Sequence, residues 1–313
     1  MASHCPGVTP SPATPSAPSP VHRLALAVVT EPERAPGAFM AAPSGAREEA
    51  MRFLLQTGAD AGVKLVATKP EGDAERLLGQ AWPFPSPFQV TVRTVPLADG
   101  LDRVEARARR SLERMGLPRG EALLVSNAAE LAGAEGRALW DRMQALKQRG
   151  LFRRIGFCAT IEDGPALLAR RLEPDVVQIG CSLLDQRAAQ DGVLDELAGM
   201  GVDVHLSSVF ANGLLFAGGE DLPPEMAGHA QGLSRTRRRL AEMRCDPMQA
   251  ALGYALSLKG VAMVVASVAS AAELRAILAA AHAPCPNLDW ARLALDAPAA
   301  FTADARLRIS SAA

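Results

Sequence analysis

The sequence alternates eight times between a short apolar segment and a longer segment with helical periodicity. The apolar segments are residues 24–29, 64–67, 88–94, 122–126, 154–159, 176–180, 204–208 and 263–267. Several of them are apolar throughout, which is typical of strands that are buried on both faces of a parallel sheet. Eight consecutive strand-helix units predict an α/β fold, a (β/α)8 TIM barrel in a single domain. In such a barrel the functional residues lie at the carboxyl ends of the strands.

One predicted helix follows each strand. These helices cover residues 47–56, 73–81, 101–115, 136–148, 161–170, 186–200, 234–258 with a break at Pro247, and 271–281. Glycines such as Gly62, Gly150 and Gly201 stand just before strands, where a helix commonly ends in the left-handed conformation. A doubly wound sheet is the rival arrangement. It normally carries a glycine-rich turn after the first strand, and residues 28–34 contain no glycine.

Charge and composition exclude several other classes of protein. The 313 residues include 33 Lys and Arg against 34 Asp and Glu, a net charge of −1, so the chain lacks the positive field that nucleic-acid binding requires. No stretch of about 18 apolar residues suggests a membrane span. The five cysteines have no metal-ligand spacing. We therefore expect a cytoplasmic protein that binds no nucleic acid, membrane or metal; the sequence indicates no particular protein partner.

The two ends of the chain differ in composition from the predicted barrel. Residues 1–20 contain six prolines and four serines, which predicts a disordered tail before a barrel domain at 21–313. A helix that begins near Leu288 is expected to pack outside the barrel. Two long loops, the proline-containing loop after the first strand and residues 211–232, are expected at the barrel mouth.

Five motifs along the chain resemble those of the aldo/keto reductases. Gly72-Asp-Ala-Glu-Arg-Leu-Leu-Gly79 is similar to the family's Tyr-Gly-x-Ser/Ala-Glu-x-x-Leu-Gly. Residues 111–116, 150–156, 177–187 and 208–215 resemble further family motifs, in the expected order and on the expected elements. The resemblance implies transfer of hydride from NADP(H) to a carbonyl. It also implies a tyrosine that donates the proton, a lysine that pairs with an aspartate, and a histidine that orients the carbonyl.

The positions that match these four catalytic residues carry other residue types. They are Val66, or Ala67 if one residue is deleted from the turn, for the aspartate, Glu71 for the tyrosine, Arg93 for the lysine and Ser126 for the histidine. A guanidinium does not replace the lysine chemically, because it stays protonated and presents a rigid fork of donors. The catalytic machinery of standard carbonyl reduction is therefore predicted to be lost.

Other polar residues around these positions are further candidates for the barrel mouth. An ion pair between Glu71 and Arg93 would be either a binding device or a structural bridge, and it would keep Glu71 ionised and unable to donate a proton. Lys69 and Asn127 are nearby candidates. The single tyrosine, Tyr254, lies in a predicted helix far from any strand end. His205, within the seventh strand, is predicted to be a core residue.

The resemblance also implies a set of residues that would bind the NADP(H) cofactor. They are Cys158, where a serine is common, the retained glutamine Gln178, Ser207 in place of the aromatic residue that stacks on nicotinamide, Ser267 and Ser270 in the phosphate-binding turn, and Arg275 toward a 2′-phosphate. Ser270 and Glu273 have the spacing of a capping box, which starts a helix with or without a phosphate. NADP(H) binding is therefore doubtful.

Three functions fit these residues. The favoured one is an aldo/keto reductase-like barrel that has lost standard carbonyl reduction and acts as a non-catalytic homologue or binds a small-molecule ligand. The second is an active NADP(H)-dependent oxidoreductase with an atypical proton donor, such as a water held by Glu71, Asn127 or Ser126. The third, by analogy of fold alone, is a lyase or isomerase with Glu71 as base and Arg93 as anion clamp.

Overall fold

Eight parallel strands close into a barrel in sequence order in the computed structural model, which describes residues 20–29, 44–216, 222 and 224–296. The strands are β1 (Leu24–Val28), β2 (Leu65–Ala67), β3 (Gln89–Arg93), β4 (Gly120–Val125), β5 (Phe152–Ala159), β6 (Val176–Gly180), β7 (Asp203–Ser207) and β8 (Val261–Val268). β8 pairs with β1 and so closes the sheet. The predicted (β/α)8 barrel is confirmed.

Helices connect successive strands around the outside of the barrel. Those of the described residues are α1 (Ser44–Asp60), α2 (Ala74–Ala81), α3 (Leu101–Arg114), α4 (Gly133–Gln148), α5 (Pro165–Leu172), α6 (Arg187–Gln190), α7 (Val193–Gly199), α8 (Ala230–Glu242), α9 (Pro247–Ser257) and α10 (Ala271–His282). The predicted break at Pro247 is confirmed: Asp246 caps α9 by accepting from the backbone N–H groups of Met248 and Gln249. The helix predicted over 186–200 is two helices, because Gly192 adopts a left-handed conformation between them.

Side chains alternate between the two faces of each strand. The outward residues, such as Val92, Phe157 and Leu206, belong to the large apolar core between the strands and the helices. The inward residues form smaller clusters, one of which consists of Ala25, Leu65, Ala67 and Val265 with Ala27 and Met263 packed against it. Three of these six inward residues are alanines.

A 3₁₀ turn, Pro20–Arg23, covers the amino-terminal end of the barrel. The guanidinium of Arg23 donates to the carbonyl oxygens of Leu256 at 2.7 Å and Val261 at 2.8 Å, next to the start of β8. Val21 of the same turn is fully buried. A ligand would therefore enter from the opposite end, where the strands finish.

The expected helix near Leu288 is instead a single 3₁₀ turn, Trp290–Leu293. It docks on α8 and α6 rather than extending, since Thr236 donates to the Leu293 carbonyl oxygen at 3.0 Å and Gln186 donates to that of Trp290 at 2.7 Å. Of the tail predicted at 1–20, residues 1–19 lie outside the described residues, and Pro20 instead begins the 3₁₀ turn. The proline-containing loop at 30–43 also lies outside the described residues. Among the described helices, none has the length and hydropathy that crossing a bilayer would need.

Candidate functional site

The carboxyl ends of the strands form the mouth of the barrel. By alternation along the strands, the inward positions nearest the mouth form a ring, the mouth ring, made of Ala27, Ala67, Arg93, Ser126, Cys158, Gly180, Ser207 and Ser267. Arg93 is the charged member of this ring, and none of its members is acidic. Because the other members are small, the ring leaves space beside a single guanidinium. Of the two positions that match the family's aspartate, Ala67 belongs to this ring, whereas Val66 faces the outer core.

Arg93 ends β3 and is half-buried. In the described parts of the chain, no hydrogen bond or salt bridge joins its guanidinium to a carboxylate. Glu71 is exposed in the turn after β2, and the ion pair between Glu71 and Arg93 that the sequence suggested does not form. No described carboxylate therefore takes up the N–H donors of this guanidinium.

The Cys158 thiol faces the barrel interior from β5 and is partly exposed. Burial raises the pKa of this thiol, while the positive charges of Arg93 and Lys69 act in the opposite direction. Both cations must lie near the thiol to exert this effect, although they come from different strand ends. The mouth thus brings together three sequence-predicted positions: Lys69, Arg93 and Cys158.

Ser126 and Asn127, which follow β4, bind backbone groups. The Ser126 hydroxyl donates to the carbonyl oxygen of Thr94 at 2.5 Å, and the Ser126 backbone N–H donates to the Thr94 hydroxyl oxygen at 3.1 Å. The Asn127 side chain accepts from the backbone N–H of Ala129 at 3.0 Å and caps a 3₁₀ turn. Neither side chain replaces the orienting histidine, because both hold the local backbone.

Tyr254 lies in α9 and belongs to the core between the barrel and its helices. It is 3% exposed, and its ring packs 5.7 Å from that of Trp290. Its hydroxyl contacts the Cys181 thiol at 3.9 Å. Burial strongly raises the pKa of this phenol. The only tyrosine of the sequence is therefore outside the barrel interior and is a poor acid.

A charged cleft beside the mouth was not found by sequence reasoning. It lies at the ends of β5, β6 and β7, and its lining includes Glu162, Asp185 and Arg187. The Arg187 guanidinium donates twice to Asp185, at 2.8 and 2.7 Å, and once to Glu162 at 2.5 Å. Hydrogen bonds to these carboxylates raise the pKa of Arg187. The two carboxylates satisfy this cation, and no spacing in the sequence indicated the cluster.

Three residues occupy the expected nicotinamide end of a cofactor site. Gln178 is inward on β6 and 2% exposed, and the sheet register places it between Cys158 of β5 and His205 of β7. Ser207 ends β7 and is partly exposed. A hydroxymethyl group offers no ring on which nicotinamide could stack. One amide group is retained at this end, without the aromatic platform.

The expected phosphate end of the cofactor site lies at the start of α10. Ser270 caps this helix by accepting from the backbone N–H of Glu273 at 3.2 Å, as the capping-box spacing predicted. The Glu273 carboxylate accepts from the backbone N–H of Ala269 at 2.9 Å. A resident carboxylate therefore takes one of the backbone donors at a helix start whose dipole would favour a phosphate.

The two remaining cofactor candidates lie on the surface. Ser267 is exposed at the end of β8. The Arg275 guanidinium lies 4.9 Å from the centre of the Phe53 ring, a cation-π contact with α1. The residues present do not fit a dinucleotide phosphate. Arg275, which would bind a 2′-phosphate, instead stacks on the Phe53 ring. No cluster of three metal-ligating side chains occurs in the described residues.

A family model described as the aldo/keto reductase family matches residues 71–294. No curated protein matches the chain. The matched segment contains the mouth residues from Glu71 onward, the cleft at β5 to β7 and the start of α10.

Three solved structures illustrate the likeness of fold. A Pseudomonas aeruginosa protein assigned to the aldo-keto reductases is 19% identical with a TM-score of 0.60, over 82% of this chain and 89% of its own. An aldo-keto reductase from Bacillus halodurans is 19% identical with a TM-score of 0.62, over 79% and 86%. The glycerol dehydrogenase from Gluconobacter oxydans is 13% identical with a TM-score of 0.64, over 85% and 88%. At these identities the likeness concerns the fold.

Proposed function

Because the chain belongs to the aldo/keto reductase family, we propose that it is a member that has lost standard carbonyl reduction and binds a small-molecule ligand without reducing it. The observation that carries this proposal is the position of Tyr254. Reduction of a carbonyl by hydride needs an acid beside the carbonyl oxygen, and the single phenol of the chain is buried in α9 behind the strands.

Five other polar groups near the described part of the mouth are poor candidates for that acid. A guanidinium such as Arg93 does not release its proton at neutral pH. Ser126 and Asn127 hold the backbone through their side chains, and Glu71 is exposed to solvent. Burial raises the pKa of the Cys158 thiol and so makes it a weaker acid.

The cofactor side supports the same proposal. At the start of α10 the Glu273 carboxylate accepts from the backbone N–H of Ala269, and Arg275 stacks on Phe53. A dinucleotide would have to displace both contacts and would find no aromatic ring at Ser207. The alternative, an active NADP(H)-dependent oxidoreductase with a water as proton donor, rests on family membership. The cytoplasmic location and the lack of nucleic-acid or membrane partners stay predictions.

The test combines cofactor binding with turnover. The purified chain is titrated with NADPH while cofactor fluorescence and the thermal midpoint are recorded, and it is then incubated with NADPH and a panel of aldehydes and ketones. The glycerol dehydrogenase from Gluconobacter oxydans serves as an active control. We expect no saturable NADPH response and no oxidation of NADPH above background.

Contrary outcomes would point to the alternative. Saturable NADPH binding in the micromolar range would show an intact dinucleotide groove. Turnover that is lost in Arg93→Met or Glu71→Gln, but kept in the exposed control Arg137→Met on α4, would overturn the proposal.

A further inference from the structure

We propose that the barrel mouth binds a small anion, a carboxylate or a phosphate, between Arg93 and Lys69 and beside the Cys158 thiol. This inference rests on the proposed ligand-binding function and names the chemistry of the ligand. It concerns the open end of the barrel interior, which is separate from the start of α10 where the family resemblance implies a cofactor phosphate.

The first argument is charge. Arg93 stands in the mouth ring, whose other members are uncharged. The positive charges of Arg93 and Lys69 both act on the neighbouring Cys158 thiol and lower its pKa against the effect of burial. Arg93 has no acidic partner among the described residues, and a half-buried guanidinium of this kind leaves an excess of positive potential in a concave site. A bound anion would form the ion pair with Arg93 that no described carboxylate forms.

The cleft at the ends of β5 to β7 provides an internal contrast. There Arg187 is also half-buried near the mouth, but Asp185 and Glu162 accept hydrogen bonds from all three guanidinium nitrogens. Among the described residues, the fold thus pairs Arg187 at this end of the barrel with two carboxylates and gives Arg93 none. The difference assigns the anion to Arg93 rather than to Arg187.

The second argument is space. Beside Arg93, the mouth ring offers Ala27, Ala67, Gly180 and the hydroxymethyl groups of Ser207 and Ser267. A Cβ atom at Gly180 would meet nothing within 4 Å among the described residues. Such small groups leave room for a ligand of a few heavy atoms. They also provide hydroxyl donors at the rim.

The chemistry of the donors limits the ligand further. A guanidinium presents parallel N–H groups that match the two oxygens of a carboxylate or a phosphate, and an ammonium adds a point charge. Buried Gln178 lies one pleat below Gly180 on β6. It would bind a polar group on the inner end of the ligand. Carboxylate and phosphate share this recognition, so the experiment treats them in separate arms.

Alkylation of Cys158 can report on the local charge. The thiolate attacks the methylene carbon of iodoacetate or iodoacetamide, a carbon–sulfur bond forms, iodide leaves and the thiol proton goes to solvent. The two reagents are close in size but differ by one negative charge. The exposed thiol of Cys285 in the same molecule is the reference, and site-resolved mass spectrometry measures both rates.

The expected result is a preference for the anionic reagent at Cys158. Relative to Cys285, the ratio of iodoacetate to iodoacetamide rates at Cys158 should be higher by about fivefold for each cation about 4 Å away in water. Arg93→Met or Lys69→Met should each remove a share of that preference, whereas Arg137→Met should leave it unchanged. Inorganic phosphate or acetate should slow alkylation of Cys158 in the wild type, and the neutral additive glycerol should not.

The additive arms identify the ligand class. Protection by phosphate alone indicates a phosphate site, and stronger protection by acetate at equal ionic strength indicates a carboxylate site. The proposal is overturned if the rate ratios of Cys158 and Cys285 agree in the wild type, or if Cys158 does not react in the folded protein, because the mouth is then not open to such a ligand. The wild-type comparison decides even if Arg93→Met fails to fold. The alkylation experiment uses no NADPH. A negative result there would overturn the anion site, whereas only NADPH binding or turnover would overturn the proposed loss of carbonyl reduction.

Discussion

Ser126 and Thr94 form two hydrogen bonds that link the ends of β4 and β3. Ser126 donates through its hydroxyl at 2.5 Å, and the Thr94 hydroxyl oxygen receives the Ser126 backbone N–H at 3.1 Å. The position that matches the catalytic histidine of the family therefore has a structural role here. It links the end of β3, which carries Arg93, to the end of β4.

Removing the Ser126 hydroxyl should lower stability without changing charge at the mouth. We expect Ser126→Ala to reduce the free energy of unfolding by about 1 kcal/mol, since a single intramolecular hydrogen bond contributes about that amount. Urea denaturation measures the change, and Ser234→Ala, at an exposed position of α8, is the control. The preference of Cys158 for iodoacetate should persist. A variant as stable as the wild type would contradict the assigned link.

Glu75 and Arg107 form a buried ion pair between α2 and α3. Their Oε2 and Nη2 atoms are 2.7 Å apart, Glu75 is 1% exposed, and Arg107 also donates to the Pro70 carbonyl oxygen at 2.5 Å. Arg107→Met would leave a buried carboxylate without its main partner, so we expect a loss of about 3–5 kcal/mol. Calorimetric or urea unfolding measures the loss.

The matched control for that pair is on the same helix. The side chain of Arg103 is 71% exposed and pairs with exposed Asp99, so Arg103→Met should cost less than about 1 kcal/mol. The double variant Glu75→Leu with Arg107→Met should recover much of the loss, because no buried charge remains. Equal effects of Arg107→Met and Arg103→Met would count against the assigned role.

His205 should make the protein sensitive to acid. It is 1% exposed, its Nε2 atom has no hydrogen-bond partner, and burial, aided by the charge of Arg154 and opposed by that of Asp203, lowers its pKa from 6.5 to about 4. Between pH 6.5 and about pH 4, His205 therefore binds a proton in the unfolded chain but not in the folded chain. The contribution of His205 to stability is complete above pH 6.5 and falls by about 1.4 kcal/mol per unit as the pH drops toward 4.

The variant His205→Leu should flatten this part of the pH profile. Urea midpoints at pH 7 and pH 5 give the comparison, and His22→Gln, at an exposed position, is the control. If the profile of His205→Leu keeps the full slope of the wild type, another group is responsible for the acid sensitivity.

Gly156 marks a close approach between β5 and β6. A Cβ atom at this position would overlap the carbonyl oxygen of Val176. We expect Gly156→Ala to cost about 3 kcal/mol, the upper end of the usual range for overpacking. In contrast, Gly199→Ala at the end of α7 meets nothing within 4 Å and should gain about 0.5–1 kcal/mol. Thermal unfolding compares the two; a neutral Gly156→Ala would mean that the strands can separate at little cost.

Several elements could be predicted because their causes are local in sequence. The strands followed from apolar runs, the break at Pro247 from a proline that cannot continue a helix, and the cap at Ser270 from its spacing to Glu273. His205 was correctly placed in the core. The division of 186–200 and the single turn at Trp290–Leu293 were missed, because a left-handed glycine and the docking contacts of a short segment override helical propensity.

The residue types alone determined two things about this protein: the barrel, through eight repeats of local periodicity, and the lack of a phenol near any strand end. Only the folded arrangement decided how the polar groups at the mouth are partnered. Ser126, Asn127 and Arg187 are satisfied by backbone or carboxylate neighbours, whereas Arg93 has no acidic partner among the described residues. The reason is physical: periodicity reflects the geometry of one segment, but a hydrogen bond or an unpaired charge depends on how closely separate strands and loops approach in space.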